Sequence, residues 1–190
     1  RSKSKDKKPM NLQPQAVPTA EFIPLPFVYS TERRQGIGLV APFDFALDDE
    51  CRRWLPSDVP LYVTRTARLE DTAVTAKLAQ EVASAGAVTP AIRSLISAEP
   101  ASVAYACTSG SFVNGIVGEA ALCQVMEEAG APRAVTTSGA LLQTLRELNI
   151  KKIAIATPYN EQLTRALADF LESADIHVVR AGYFNSEKDI

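Results

Sequence analysis

The sequence predicts an α/β fold: a mostly parallel sheet with helices on both faces, arranged as two pseudo-symmetric halves of which the second is incomplete. Three observations predict it. From residue 36 onward, short apolar runs alternate with stretches of helical periodicity, the pattern of parallel strands joined by crossover helices. The runs end in small hydroxyl or Pro-aromatic loops, as strands leading into capped helices do. One strand–loop–helix–strand segment also occurs twice.

The elements follow in order. Residues 1–34 carry Arg1 and four lysines against Asp6 in the first ten positions, followed by prolines at 14, 18, 24 and 26, and read as a flexible tail. Because the first residue is Arg1, the N-terminus is expected to be processed or partial. The run IGLVA at 37–41 predicts a buried strand closed by Pro42. Leu47, Cys51, Trp54 and Leu55 have helical spacing, with Asp48, Asp49 and Glu50 in the first turn. A β-rich stretch at 59–66 precedes helices over about 71–85 and 88–98, the second led by Thr89-Pro90 as cap and first turn. Strand 102–106 delivers Cys107 at its end, and one helix is expected from 112 to 129, ended by Gly130. Strand 134–136, a helix to Leu148, strand 152–156, a helix to Ser173 and strand 176–180 complete the chain.

The repeat aligns Ile37-Gly-Leu-Val-Ala-Pro-Phe-Asp44 with Ile153-Ala-Ile-Ala-Thr-Pro-Tyr-Asn160, 116 residues later, and Leu47, Trp54 and Leu55 with Leu163, Phe170 and Leu171. Residues 35–136 are accordingly expected to form a first half and 137–190 a truncated second half. The counterpart of Cys107 is expected near position 223, so the natural protein is expected to be longer.

Composition narrows the function. With 46% hydrophobic and 22% charged residues the chain is of ordinary globular type. A net charge of −2 argues against a nucleic-acid surface, which needs clustered Lys and Arg. No apolar run approaches the roughly 20 residues of a membrane span, and nothing at the N-terminus resembles a secretory signal. Three unpaired cysteines fit a reducing compartment, so a cytoplasmic location is expected. One histidine and no CxxC or HxxxH leave little for a metal site, and none is expected.

In open α/β sheets, ligands sit beyond the carboxyl ends of the strands. Those ends here are Pro42-Phe-Asp, Cys107-Thr-Ser-Gly-Ser, Thr136-Thr-Ser-Gly and Thr157-Pro-Tyr-Asn. Hydroxyls beside free backbone N–H groups suit an anion, although each Ser or Thr also reads simply as a helix cap. Cys107 is the chemical candidate: a helix N-terminus is expected to lower its pKa, and its thiolate would add to an activated double bond or remove a proton next to a carboxylate. Thr108 and Ser109 would hold the carboxylate, and the Tyr159 phenol would bind the same oxygens or pass a proton. The competing reading of Cys107 is a small core residue. Cys51 and Cys123 read as packing, and His177 as a structural or surface residue. Gly36-Ile-Gly38 precedes its strand and is no dinucleotide fingerprint. Asp44 invites comparison with a phospho-acceptor domain, but that design needs an acid pair, and the central strand end carries Cys107.

The motifs GIGLVAP (36–42), YACTSGSFVNG (105–115), AVTTSGALL (134–142) and IAIATPYNEQL (153–163) resemble the aspartate/glutamate racemase superfamily, in its branch of maleate cis-trans isomerases and arylmalonate decarboxylases. Within that branch the chain looks most like the maleate-isomerase-like proteins linked to ectoine utilisation. The resemblance implies two flavodoxin-like halves and a cofactor-free enzyme acting on a small dicarboxylic or related acid, with homo-oligomers allowed. It implies that Cys107 is the first of two cysteines, that Thr108, Ser109 and Tyr159 bind substrate, and that Pro42 and Phe43 contact it through their backbone. Isomerases of this kind use a cysteine from each half, whereas decarboxylases keep only the second. Where maleate isomerases carry an Asn after the first-loop proline this chain has Phe43-Asp-Phe, so the acid or the reaction is expected to differ. The alternatives are a non-catalytic carboxylate-binding protein of the same fold, or an inactive fragment.

Overall fold

The computed structural model describes residues 35–70 and 73–184, and the predicted tail at 1–34 lies outside them. Four parallel strands form the larger sheet, in the order β2-β1-β3-β4. They are β1 (Ile37–Ala41), β2 (Leu61–Arg65), β3 (Ser102–Tyr105) and β4 (Ala134–Thr136). A second sheet pairs β5 (Lys152–Thr157) with β6 (His177–Tyr183), again in parallel.

The helices are α1 (Asp48–Trp54), α2 (Ala76–Val82), α3 (Ala85–Ile96), α4 (Thr108–Phe112), α5 (Gly115–Glu128), α6 (Thr137–Glu147) and α7 (Glu161–Glu172). The expected mixed α/β architecture with parallel strands is therefore present. Right-handed crossovers put α3 and α5 on one face of the larger sheet and α1 on the other, because β1-to-β2 steps in the opposite direction from β2-to-β3 and β3-to-β4.

Two cores hold these layers. Val88, Ile92 and Leu95 of α3 and Leu122 and Met126 of α5 pack on Val40, Val103 and Tyr105. Gly38 allows this close approach: a Cβ there would lie 2.3 Å from Leu95 Cδ2, so α3 rests directly on the β1 backbone. In the second core, Phe112 joins Leu142 and Leu145 of α6, Leu163 and Phe170 of α7, and Ile176. One face of the two-stranded sheet packs on α7, whereas Ala154, Ala156 and Val179 on the other are exposed; Tyr183 lies on the α7 side and donates to Glu161 Oε2 at 3.1 Å.

The repeated segment falls on equivalent elements, β1-α1-β2 and β5-α7-β6. The pairing is not identical: β1 and β2 run in register from Ile37–Leu61, whereas a bulge at Ile153/Ala154 shifts β6 by one residue against β5.

Several expectations are corrected. Instead of one helix from 112 to 129 there are two, because Gly115 adopts φ +70°, a left-handed turn that interrupts the helix and lets α4 and α5 diverge. The motif CTSGS is thus not a loop: Cys107 is the N-cap of α4 and the rest is helical. Helix α3 begins earlier than expected, capped by Ser84 accepting from the Ala87 N–H, with Pro90 inside it. The carbonyl deprived of a partner by Pro90 belongs to Gly86, which is exposed and can be met by water. The apolar stripe of α1 is not buried, with Leu47 55% and Trp54 82% exposed.

Candidate active site

The order β2-β1-β3-β4 places a topological switch point at β1, whose neighbours are reached by connections running opposite ways. A crevice therefore opens between the carboxyl ends of β1 and β3. Pro42-Phe43-Asp44 leave one side of it and Ala106-Cys107 the other. A cavity of about 110 Å³ lies there, lined by Pro42, Phe43, Asp44, Cys107, Ser109 and, from α2 and its lead-in, residues including Thr75 and Val82. This is well below the roughly 300–1,000 Å³ of pockets for drug-sized ligands, a size for a few-atom acid. Cys107 is half-buried on the cavity wall and also packs against the core of the larger sheet.

The environment of the thiol reverses one expectation. Burial pushes the Cys107 pKa above its ordinary value, and Asp44 adds to the effect. The Gly110 N–H and the Ser109 and Tyr105 hydroxyls pull it down without overcoming desolvation. Desolvation outweighs these, and the thiol is held above its ordinary pKa. Ser109 Oγ lies 3.7 Å from Sγ.

Tyr159 enters from the loop after β5. Its ring meets Phe112 edge-on, with centroids 5.9 Å apart at 62°. Burial and then the neighbouring Cys107 raise the phenol pKa, opposed by hydrogen bonds from Thr108 and Ser109, so the phenol remains a proton donor. The two sheets thus contribute to one place: Pro42, Phe43, Cys107 and Ser109 from the larger, Tyr159 from the smaller. Thr108 is half-buried beside Tyr159 and does not line the cavity.

The other strand ends do not join it as anion sites. Thr136 Oγ1 accepts from the Gly139 N–H at 2.9 Å and donates to Glu119 Oε1 at 2.6 Å. Thr157 and Thr164 pair their buried hydroxyls at 2.6 Å, and Asn160 caps α7 by accepting from the Leu163 N–H. For these loops the capping reading is the one realised. The TSG loop acts instead as a brace. Ser111 donates to the Thr108 carbonyl at 2.8 Å, which turns the Ser138 O–H toward Ser111 Oγ, 2.6 Å away. Thr137 Oγ1 donates to the Tyr105 carbonyl at 3.0 Å. These bonds fix the Cys107 turn against α6. Sequence reasoning missed the α2 wall, which no local pattern announces, and Tyr105, which reads as a core strand residue.

Cys51 and Cys123 are half-buried and lie outside this cavity. Burial, then the Glu119 carboxylate, push Cys123 up to about 12 from 9.0. A folded-state pKa above the unfolded value gives stability that is complete below the unfolded pKa and lost as pH rises through the folded one. Thermal unfolding is therefore expected to move to lower temperature from about pH 9 toward about pH 12, and Cys123→Ala to flatten part of that decline. An unchanged slope in the variant would exclude Cys123 as its source. His177 is exposed and 3.0 Å from Glu172 Oε1, a surface contact.

Among the described residues no group of three or more His, Cys, Asp or Glu is placed to hold a metal ion, and no helix is long and apolar enough to cross a membrane.

Comparison with known proteins agrees with this fold. The family model for arylmalonate decarboxylase matches residues 72–187, more than half of the chain. A maleate isomerase from Alcaligenes faecalis is 38% identical over 81 residues, covering 40% of this chain and 32% of its own length. An arylmalonate decarboxylase from Bordetella bronchiseptica is 41% identical over 64 residues, 34% of this chain and 27% of its own. Among solved structures, a maleate cis-trans isomerase variant from Nocardia farcinica holds a covalently bound succinylcysteine intermediate. It superposes with a TM-score of 0.63 at 20% identity, over 82% of this chain and 66% of that one. The matches span a third or less of the two sequence relatives and just under two thirds of the structural one.

Proposed function

The chain belongs to the arylmalonate decarboxylase family, and from that premise we propose that it carries the Cys107 side of a cofactor-independent, cysteine-based site for a small dicarboxylic or related acid. The reaction class is isomerisation, racemisation or decarboxylation, of maleate-isomerase-like type. The observation that carries this reading is the convergence of Cys107, Ser109, Pro42 and Phe43 on one small cavity, with the Tyr159 phenol beside the thiol.

The roles follow from the chemistry. Ser109 and Thr108, with the backbone of Pro42 and Phe43, hold a carboxylate, and Tyr159 donates to its developing charge. Once ionised, Cys107 adds to the carbon–carbon double bond of an unsaturated acid. Addition leaves a single bond about which the adduct rotates, and expulsion of the thiolate restores the double bond in the other geometry. With a malonate-type acid the neutral thiol would deliver its proton to the carbanion left by loss of CO2 from the first-half side, where decarboxylases of this kind keep no cysteine. The raised thiol pKa favours the protonated resting form that this second role requires. The site's setting fits a cytoplasmic protein, and a homo-oligomer is compatible with it.

Proton NMR of the protein with maleate and with phenylmalonate tests the proposal, paired with iodoacetamide labelling of each cysteine. At least one acid is expected to be converted, and to slow labelling of Cys107 while leaving Cys51 unaffected. Labelling of Cys107 that is indifferent to both acids, with neither converted, would count against the reading.

A further inference from the structure

We propose that Tyr105 is the inner hydrogen-bond partner of the Cys107 thiolate, a positioning residue that acts through Cys107, and that Gly110 is glycine because a side chain there would separate the two. The inference rests on the active-site reading of Cys107 and extends it to a residue behind the cavity wall.

Tyr105 is the last residue of β3 and wholly buried, yet its hydroxyl is not simply packed away. The oxygen donates to the Val82 carbonyl, 3.0 Å away at the end of α2. It also lies beside Cys107. A Cβ built on Gly110 would sit 2.7 Å from Tyr105 Oη and 3.2 Å from Cys107 Sγ, so phenol oxygen and sulfur converge on the same side of Gly110. Alternation along the strand explains this: residues 105 and 107 point to the same side, and the turn into α4 brings Gly110 back over both.

The phenol has a single proton to give. With a neutral thiol it goes to Val82, while the S–H can point at the phenol oxygen. When the thiol gives its proton to substrate or solvent, the phenol O–H turns from Val82 to the sulfur, which then receives Tyr105, Ser109 and the Gly110 N–H together. Burial and the adjacent thiol raise the phenol pKa, so Tyr105 keeps its proton and stays a donor. Val82 also lines the cavity, so the ionisation state of Cys107 is linked to the last turn of α2. The other titratable groups facing the thiol, Asp44 and Tyr159, are left in place in the test below.

The test is the pH profile of Cys107 alkylation by iodoacetamide, read by peptide mass spectrometry from about pH 7 to about pH 10.5 in wild type and Tyr105→Phe. Phenylalanine keeps the ring packing and removes only the donor. The Cys107 midpoint is expected to rise by about one pH unit, with labelling about threefold to fourfold slower below it, because the smaller thiolate fraction is partly offset by its higher nucleophilicity. The Cys51 profile should stay unchanged. A Cys107 profile identical to wild type in a folded variant overturns the proposal, since a purely structural tyrosine would change stability and not this midpoint. Should Tyr105→Phe not fold, Gly110→Ala reads the same contact, because its methyl group must drive phenol and sulfur apart. It is expected to move the midpoint the same way, and an unmoved midpoint there is equally decisive. Acids that protect Cys107 while the midpoint stays put would sink this inference alone. A shifted midpoint without protection by any acid would leave it standing and remove the active-site reading.

Discussion

Cys107→Ala is expected to lower conversion of the acid by about 10³-fold or more while leaving its binding within a few-fold of wild type. The asymmetry follows from the site's division of labour. On the proposed roles the carboxylate is held by the Ser109 and Thr108 hydroxyls, the backbone of residues 42–43 and the Tyr159 phenol, none of which alanine removes. What is lost is the only thiol among the described residues that line the cavity, and with it both proposed roles, addition to a double bond and delivery of a proton to a carbanion. Cys107→Ser separates those roles further. A serine hydroxyl is a far poorer acid and nucleophile at neutral pH, so Cys107→Ser should likewise keep folding and binding but not rate. NMR turnover paired with calorimetric titration of the acid checks both halves. Conversion within tenfold of wild type in Cys107→Ala would move the chemistry to another residue. Loss of binding alongside loss of rate would mean that the thiol also holds the acid.

How much of this was legible beforehand depended on whether the signal was local. The strands were, because a parallel strand buried on both faces must be a continuous apolar run, as IGLVA and SVAY are. The repeat was legible for the same reason, with β1 and β5 each delivering a Pro-aromatic loop. The candidate residues Pro42, Phe43, Cys107 and Ser109 all sit at strand ends, as the sequence indicates, but it is the crossover placing β3 beside β1 that brings their loops together. The rest depended on distant contacts. The break between α4 and α5 turns on the left-handed Gly115, which in sequence looks like any glycine near a helix start. The direction of the thiol's pKa shift differs from expectation because a helix start near residue 112 is visible in sequence, whereas the burial that outweighs it is not. Serine 111 and Ser138 carry no pattern that joins them; only the fold brings α4 and α6 within 2.6 Å. The α1 stripe misled in the other direction, since helical spacing guarantees an apolar face but not a partner for it.

The second large effect is on stability, at the residue that ties the thiol's helix to the smaller sheet. Phe112→Ala is expected to destabilise the protein by about 3–5 kcal/mol, the usual range for truncating a buried phenylalanine. Phe112 is 0% exposed and belongs to the core built by α6 and α7, although its own helix begins at Cys107 on the larger sheet. Its ring also supports Tyr159 edge-on. Removing it leaves a cavity that the surrounding leucines cannot close without moving α4, and α4 is braced by Ser111 and Ser138. Relaxation is therefore restricted, which favours the upper part of that range. Urea unfolding would read the loss as a lower midpoint at unchanged slope. Phe112→Leu, which keeps most of the volume but not the aromatic edge, should recover most of the stability and less of the Tyr159 positioning. Its signature would be near-normal unfolding with weakened binding of the acid. A Phe112→Ala protein as stable as wild type would show that α4 and α7 are held together by something other than this ring.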